Sequence, residues 1–451
     1  MKFLTPLLIT TLLLSSCSNN IIRKLTSAGQ TPYAVEQLVT WETKANGVAV
    51  RSNQIFDLNH YEIPLDLLSS EFASDLSQDI KDSLIFEKNG EAYVRWLINP
   101  EDTKWHLEVK KMLDEAGLDS TVHSYLKGYL TASRSMIAFN PENGSAFSVK
   151  VSTNNTGGYW NDKKQTWDDA NQIRKISDWV KDTLSKMDTK SLVIQDEPLG
   201  LGIESLDQGL IVRNLNDVPT GKHYYLPGFS ALHETEGKLL AQLNGSTDVV
   251  KFWEDNYVRP LAKAMAEFSA LTGVYYDSPH SQNFMIELDE NKKPTGRVVL
   301  RDFGDSYLNR DFVSQTAHAS ILNIWEKDNI VSGKFPTAVG LLHGNSAPSW
   351  LTLNDYKRYG ETFYKEYEKK FSEISGIPLT KLQQRPIAGA RAFSYLSKAY
   401  PTEGDDWKRF FDHANCLGGA ETTLSGQDCG EFFTKFQKQD NCFGAVQSFA
   451  Q

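Results

Sequence analysis

The 451-residue chain sets 47 Lys and Arg against 57 Asp and Glu, a formal net charge of −10, with 40% hydrophobic and 23% charged residues. An acidic balance without a polybasic run excludes nucleic acid as a main partner and leaves protein charge no role in holding an anionic lipid surface. The length suffices for two or three domains, and 10 Trp, 18 Tyr and 23 Phe fit large cores and an aromatic-lined cleft.

In chain order, Lys2 and the apolar run Phe3 to Leu14 read as the start of a signal peptide, too short to span a bilayer comfortably. Leu14-Ser15-Ser16-Cys17 has the form of a bacterial lipobox, so residues 1–17 are expected to be a lipoprotein signal with Cys17 lipidated. Ser18 favours the outer membrane over the inner, on the periplasmic face. An ordinary signal peptide or an uncleaved apolar helix is the alternative, and without the lipobox the protein would be cytoplasmic. Residues 18–32 then form a polar tether.

Residues 33–132 are predicted to be mainly helical. Leu65, Leu68, Phe72, Leu76, Ile80 and Leu84 recur at helical spacing behind Pro64, and Trp105, Val109, Met112, Leu113 and Ala116 do so before the stop at Gly117. Residues 133–310 read as a central α+β domain. Ser145–Thr153 alternates as a strand with Phe147, Val149 and Val151 on one face and Ser148 and Lys150 on the other. Ser191–Gln195 and Gly209–Arg213 read as two short strands, and Gly200 and Gly202 as a turn rather than a phosphate loop. A helix over Phe252–Leu271 ends at Gly273, and Phe284–Leu288 with Val298–Leu300 form a hairpin. Residues 311–451 are predicted to be helical, with Tyr356, Tyr359, Phe363, Tyr367 and Phe371 as a packed aromatic stripe. Cys416, Cys429 and Cys442 match no zinc or iron–sulfur spacing and suggest one disulfide and one free thiol, the pairing left open.

The chemistry concentrates at Ser278–Asp305. His280, Gln282 and Asn283 precede one strand of the hairpin, and Arg301 and Asp302 end the other. Phosphoryl or adenylyl transfer needs cationic or donor groups on phosphates and oxygen ligands for magnesium. Asn283 and Asp302 are suitable metal ligands, His280 and Gln282 can donate to phosphate, Arg301 can clamp one, and Lys150 lies where a strand lysine reaches phosphates. The bland alternatives are a turn cap for His280 and a buried ion pair for Arg301 and Asp302.

These residues resemble the aerobactin-type (IucA/IucC) siderophore synthetases, ATP-dependent ligases that activate a citrate-like carboxylate as an acyl adenylate. Ser133-Arg134-Ser135 looks like that family's Ser-x-Arg-Thr segment, and Phe147–Thr153 its lysine strand ending in threonine. Gly209–Arg213 resembles its strand ending in arginine, Gly273–Asn283 its block ending in His-x-Gln-Asn, and Arg297–Asp302 its Arg-Asp strand. The match covers about Ser133 to Asp305. The resemblance implies a cupped-hand α+β palm with a mixed or antiparallel sheet and a kinase-like cleft. It implies ATP and Mg2+ as cofactors, with Ser133, Arg134, Ser135, Lys150, Thr153, His280, Gln282 and Asn283 binding nucleotide. His280 and Arg301 would serve catalysis, and Asn283, Asp302 and Asp305 the metal. The partner would be a small-molecule carboxylate, the product an amide or ester, and a homodimer remains open. Two other readings stand beside it. The order of Lys150, Asn283 and Asp302-Phe303-Gly304 also suits a kinase-like phosphotransferase. An exported lipoprotein could instead use the same cleft to bind an anionic small molecule without turnover.

Overall fold

The structure, a computed structural model, describes residues 32–45, 53–131, 133–156, 161–276, 281–309, 330–331, 341 and 347–376. Cys17, His280, Cys416, Cys429 and Cys442 lie outside the described residues, as does most of the region expected to be helical beyond residue 310.

A nine-stranded antiparallel sheet forms from β1 (Phe56–Pro64), β2 (Ser69–Phe72), β3 (Ile85–Lys88), β4 (Glu91–Leu97), β5 (His123–Leu130), β6 (Ser135–Phe139), β7 (Ala146–Lys150), β9 (Leu199–Ile203) and β10 (Gln208–Arg213), in the order β2-β9-β10-β7-β6-β5-β1-β4-β3. A second sheet has the order β11-β13-β14-β8, from β8 (Leu192–Ile194), β11 (Tyr224–Pro227), β13 (Phe284–Leu288) and β14 (Pro294–Leu300), with β8 parallel to β14. The third contains β12 (Val274–Tyr276), β15 (Ser306–Asn309) and β16 (Ile330–Val331).

The large sheet has two buried faces, visible in the two-residue period of β6. Met136 and Ala138 enter one core with Phe147, Val149, Val109 and Leu113, while Ile137 and Phe139 enter the other with Trp41, Ile176 and Val180. The helix Trp105–Glu115 covers the first face, and Tyr33–Lys44 and Trp167–Ser185 lie on the second. Thr166 caps the Trp167–Ser185 helix by accepting from the Asp169 amide at 3.1 Å. The second sheet shares its core with the helices Arg259–Thr272 and Leu353–Ser375, the latter starting in a Thr352/Asp355 capping box. All five residues of the aromatic stripe on that last helix are buried. Among the described residues no helix is long and apolar enough to cross a membrane.

The α+β class stands, but the mainly helical reading of residues 33–132 does not. Leu65–Leu67 is a single 3-10 turn, Phe72 closes β2, and of the six spaced residues Ile80 and Leu84 alone lie in a helix, Gln78–Leu84. Sheet pairing overrode the local period, because Ser69–Phe72 finds a partner strand in β9. The expected division between residues 132 and 133 falls inside the β5–β6 pair, where Leu130 faces Met136. Gly200 and Gly202 stand in β9, not in a turn.

One consequence of β1–β5 pairing is a buried histidine. His60 faces His123 across the two strands, with ring centroids 6.0 Å apart. Burial, followed by the nearby Arg95 guanidinium, lowers the His60 pKa from 6.5 to about 4, with Glu62 opposing and His123 adding to the lowering. A depressed folded-state pKa means the stability is fully present above 6.5 and is lost as pH falls through about 4. Over that window the contribution is roughly 3 kcal/mol. Denaturant midpoints from pH 7 to 4 are expected to fall more in the wild type than in His60→Gln; parallel curves would refute the assignment.

Candidate functional site

Three strand ends meet at Asp302. Lys150, the last residue of β7, donates from Nζ to Asp302 Oδ1 at 2.8 Å. Arg213, the last residue of β10, brings Nη2 within 3.2 Å of the same oxygen. Behind Asp302, Phe303 stacks on Phe268 with centroids 5.7 Å apart, and a Cβ on Gly304 would meet Ile173 Cδ1 at 2.8 Å. Asp302 itself has φ +66, a left-handed conformation that aspartate tolerates better than most residues. The buried Phe303 thus anchors a turned backbone that presents the carboxylate to both cations.

Arg213 is also the partner of Glu197, whose Oε1 accepts from Arg213 Nη2 at 2.7 Å and from Nε at 3.2 Å. Glu197 is fully buried, and its Oε2 has no hydrogen-bond partner among the described residues. Burial pushes the Glu197 carboxyl up, Arg213 opposes this, and the charge of Asp302 adds to it. At Asp302 burial also pushes upward, but Lys150 and Arg213, with Arg134 adding, hold the carboxyl well below the usual range. Burial pulls the Arg213 pKa down, yet Glu197 and Asp302 more than restore it, so the guanidinium stays charged. The side chains of Lys150 and Asp302 keep 14% and 18% exposure, so solvent reaches the cluster from their side while Arg213 and Glu197 form its floor.

Of Ser133, Arg134 and Ser135, the structure sets Ser135 beside this cluster and Arg134 within electrostatic reach of it, while Ser133 is engaged by Lys163. Ser135 faces Lys150 across the β6–β7 pair, and the Val151 amide donates to the Arg134 carbonyl. The Arg134 guanidinium donates to the Lys164 carbonyl, and Lys163 Nζ donates to Ser133 Oγ at 3.2 Å. Thr153 is drawn elsewhere: its buried hydroxyl exchanges hydrogen bonds with the Asn155 backbone, inside a loop closed by the Thr153–Lys163 bridge.

Arg301 points away from Asp302. Its Nη1 pairs with Glu42 at 2.6 Å, its Nη2 donates to the Gln282 carbonyl at 3.0 Å, and both charged side chains are buried. Arg301 is therefore in a buried ion pair, but with Glu42 and not with its sequence neighbour. Asn283 is buried beside it. Its carbonyl accepts from the Arg301 amide at 3.2 Å, and its side-chain nitrogen has no partner among the described residues. Asp305 ends the turn Phe303–Asp305. Among the described residues no three His, Cys, Asp or Glu side chains gather as a metal site.

Sequence reasoning gave Glu197 no place and Arg213 no role beyond ending a strand. The available signal was the run Gln195-Asp196-Glu197 just after a strand, three polar residues of which all prove buried.

No protein-family model matches the chain, and no curated protein matches it. Among solved structures it is similar to the petrobactin biosynthesis protein AsbB of Bacillus anthracis str. Sterne, at 12% identity and TM-score 0.49, over 74% of this chain and 62% of that one. It is also similar to the aerobactin synthetases IucA and IucC from a hypervirulent pathotype of Klebsiella pneumoniae. For IucA the identity is 11% and the TM-score 0.46, over 71% of this chain and 62% of that one. For IucC they are 13% and 0.46, over 72% and 63%. The chain thus spans less than two thirds of the length of each.

Proposed function

We propose that the Lys150–Asp302–Arg213 cluster binds the phosphates of ATP and that the protein activates a carboxylate for amide or ester formation. The observation that supports this reading is that Lys150 and Arg213, at the ends of the neighbouring strands β7 and β10, meet on one solvent-reached carboxylate, with the charge of Arg134, just ahead of β6, acting on it as well. Lys150 and Arg213 offset Asp302 and Glu197, and Arg134 tips the balance to positive. A partly dehydrated positive cluster suits a polyanion, and such sites act by positioning and charge stabilisation.

If Mg2+ accompanies the nucleotide, Asp302 would offer it a carboxylate and Asn283 an amide oxygen, hard ligands of the type magnesium takes, with phosphate and water oxygens completing the shell. Bound there, the ion would neutralise phosphate charge. Lys150 and Arg213 would hold the phosphates, and Glu197 would keep Arg213 extended along the floor.

The second reading, an exported lipoprotein that binds a small anion without turnover, draws on the lipobox form at Leu14–Cys17. Calorimetry separates the two. Mg-ATP is expected to bind at millimolar concentration or better, and Lys150→Met to weaken it at least tenfold, about 1.4 kcal/mol. Binding of citrate or phosphate with none of Mg-ATP would overturn the nucleotide reading in favour of the second.

A further inference from the structure

The register of the second sheet exposes a buried polar row one residue beyond its last paired positions. Phe284 faces Leu300 across β13–β14, and Leu300 faces Ile194 across β14–β8. The next row is Asn283, Arg301 and Gln195, fixed by the Arg301 amide to the Asn283 carbonyl and the Gln195 amide to the Leu300 carbonyl at 2.9 Å. All three are at most 4% exposed. Among the described residues neither polar atom of the Gln195 side chain has a partner, nor has the Asn283 side-chain nitrogen. Arg301 carries the charge of this row, and its counter-charge comes from outside the sheet, from Glu42 on the helix Tyr33–Lys44.

That helix does not need Glu42 in order to dock. Val35, Leu38, Val39 and Trp41 are buried in the core, and Ser230 Oγ donates to the Trp41 carbonyl at 2.7 Å. Lys292 adds a further hold, with Nζ 5.3 Å from the Tyr33 ring centroid and 5.5 Å from that of Tyr224. Nor is a buried ion pair a good source of stability, since apolar residues of similar volume do as well or better. What the pair does supply is position: Glu42 Oε1 lies 2.6 Å from Nη1, a close charge contact rather than an aligned hydrogen bond, while Nη2 donates to the Gln282 carbonyl and the Arg301 backbone pairs with Asn283.

We propose that Glu42 is a positioning residue for the candidate phosphate site: by orienting Arg301 it locks the 281–283 turn onto the end of β14 and so fixes where Asn283 and Asp302 stand. The assignment of Asn283 and Asp302 to ligand binding rests on the nucleotide reading above; the locking of the turn by Glu42 does not.

The test uses the full chain with Glu42→Gln, Glu42→Asp, and the double variant Glu42→Leu/Arg301→Met, which removes the pair without stranding a buried charge. Amide hydrogen exchange is measured in peptides covering 281–288 and 298–305, beside thermal midpoints and Mg-ATP affinity. In Glu42→Gln, exchange in those two peptides is expected to rise about tenfold with the Leu353–Ser375 helix unchanged, and Mg-ATP affinity to fall about tenfold, the scale typical of residues that orient ligand-binding groups. Glu42→Asp restores part of both. The double variant keeps its thermal midpoint yet shows the same local exchange and weakened binding. Unchanged exchange at 281–305 overturns the proposal. So does a rise spread over the whole chain in step with lost stability, or a double variant that behaves as wild type. If the wild type binds no Mg-ATP, the nucleotide reading fails, and the exchange data alone still decide the role of Glu42.

Discussion

Replacing Asp302 by Ala is expected to destabilise the protein by about 3 kcal/mol at pH 7, measured as a fall in the denaturant midpoint at unchanged slope. The reason is charge left behind. Asp302 is the carboxylate that Lys150 reaches at 2.8 Å, and it shares Arg213 with Glu197. Removing one partner from a buried ion cluster costs roughly 3–5 kcal/mol, because the remaining charges are desolvated and unpaired. The 18% exposure of the Asp302 side chain places the effect at the low end. Lys150→Met is expected to cost less, since Arg213 still pairs with Asp302, and the double variant Lys150→Met/Asp302→Ala less than the sum of the singles. Linkage gives a second readout. A carboxyl held below its ordinary range contributes stability that is fully present above about 3.8 and is lost as pH falls through its lower folded-state value. Asp302→Asn should therefore flatten the acid limb of the stability curve below about pH 4. Equal acid sensitivity in both proteins would mean that Asp302 is not held by Lys150 and Arg213.

What the sequence disclosed depended on how local the signal was. The Phe284–Leu300 hairpin, the Arg259–Thr272 helix with its left-handed Gly273 and the aromatic stripe of the last described helix each follow from a run of neighbouring residues. Lys150 and Asp302 could be proposed for one site from a lysine on the polar face of a strand and an aspartate at a strand end, though 152 positions separate them. The strands of residues 56–130 were also written locally in part: Asn89-Gly90, both at positive φ, is the two-residue turn that closes the β3–β4 hairpin. The apolar spacing of Leu65 to Leu84 obscured it. Glu197 and Glu42 were not legible at all. Each is defined by an arginine on another element, Arg213 on the strand after next for Glu197 and Arg301 far along the chain for Glu42, and a lone glutamate in a strand-end run or on an amphipathic helix looks like any solvated carboxylate until the partner is placed.

Gly200 and Gly202, misread as a turn, join Gly209 on the next strand in explaining how the cluster is held, and Gly209 carries the other large expected effect. Gly202 and Gly209 face each other across β9–β10, with Gly200 two residues along the same strand. The helix Trp167–Ser185 lies directly on them. A Cβ on Gly202 would collide with the Trp167 ring, and one on Gly209 with the Thr166 carbonyl, well inside van der Waals contact and only 3.1 Å from Ala170 Cβ. A ring can turn, but a helix-capping carbonyl moves only if the whole helix lifts from the sheet. Gly209→Ala is therefore expected to cost about 3 kcal/mol or more, beyond the roughly 1–3 kcal/mol of ordinary overpacking. Gly360→Ala is the internal control. It sits in the Leu353–Ser375 helix, where an added Cβ would meet nothing within 4 Å among the described residues, and should stabilise by about 0.5–1 kcal/mol through helix propensity. The functional consequence follows from chain continuity. Gly209 lies four residues before Arg213 in β10, so lifting the helix also disturbs the strand that delivers the guanidinium to Asp302. Gly209→Ala should then lose Mg-ATP affinity together with stability, whereas Gly360→Ala changes stability alone. A Gly209→Ala protein with wild-type denaturant midpoint would show that the helix does not rest on this glycine pair.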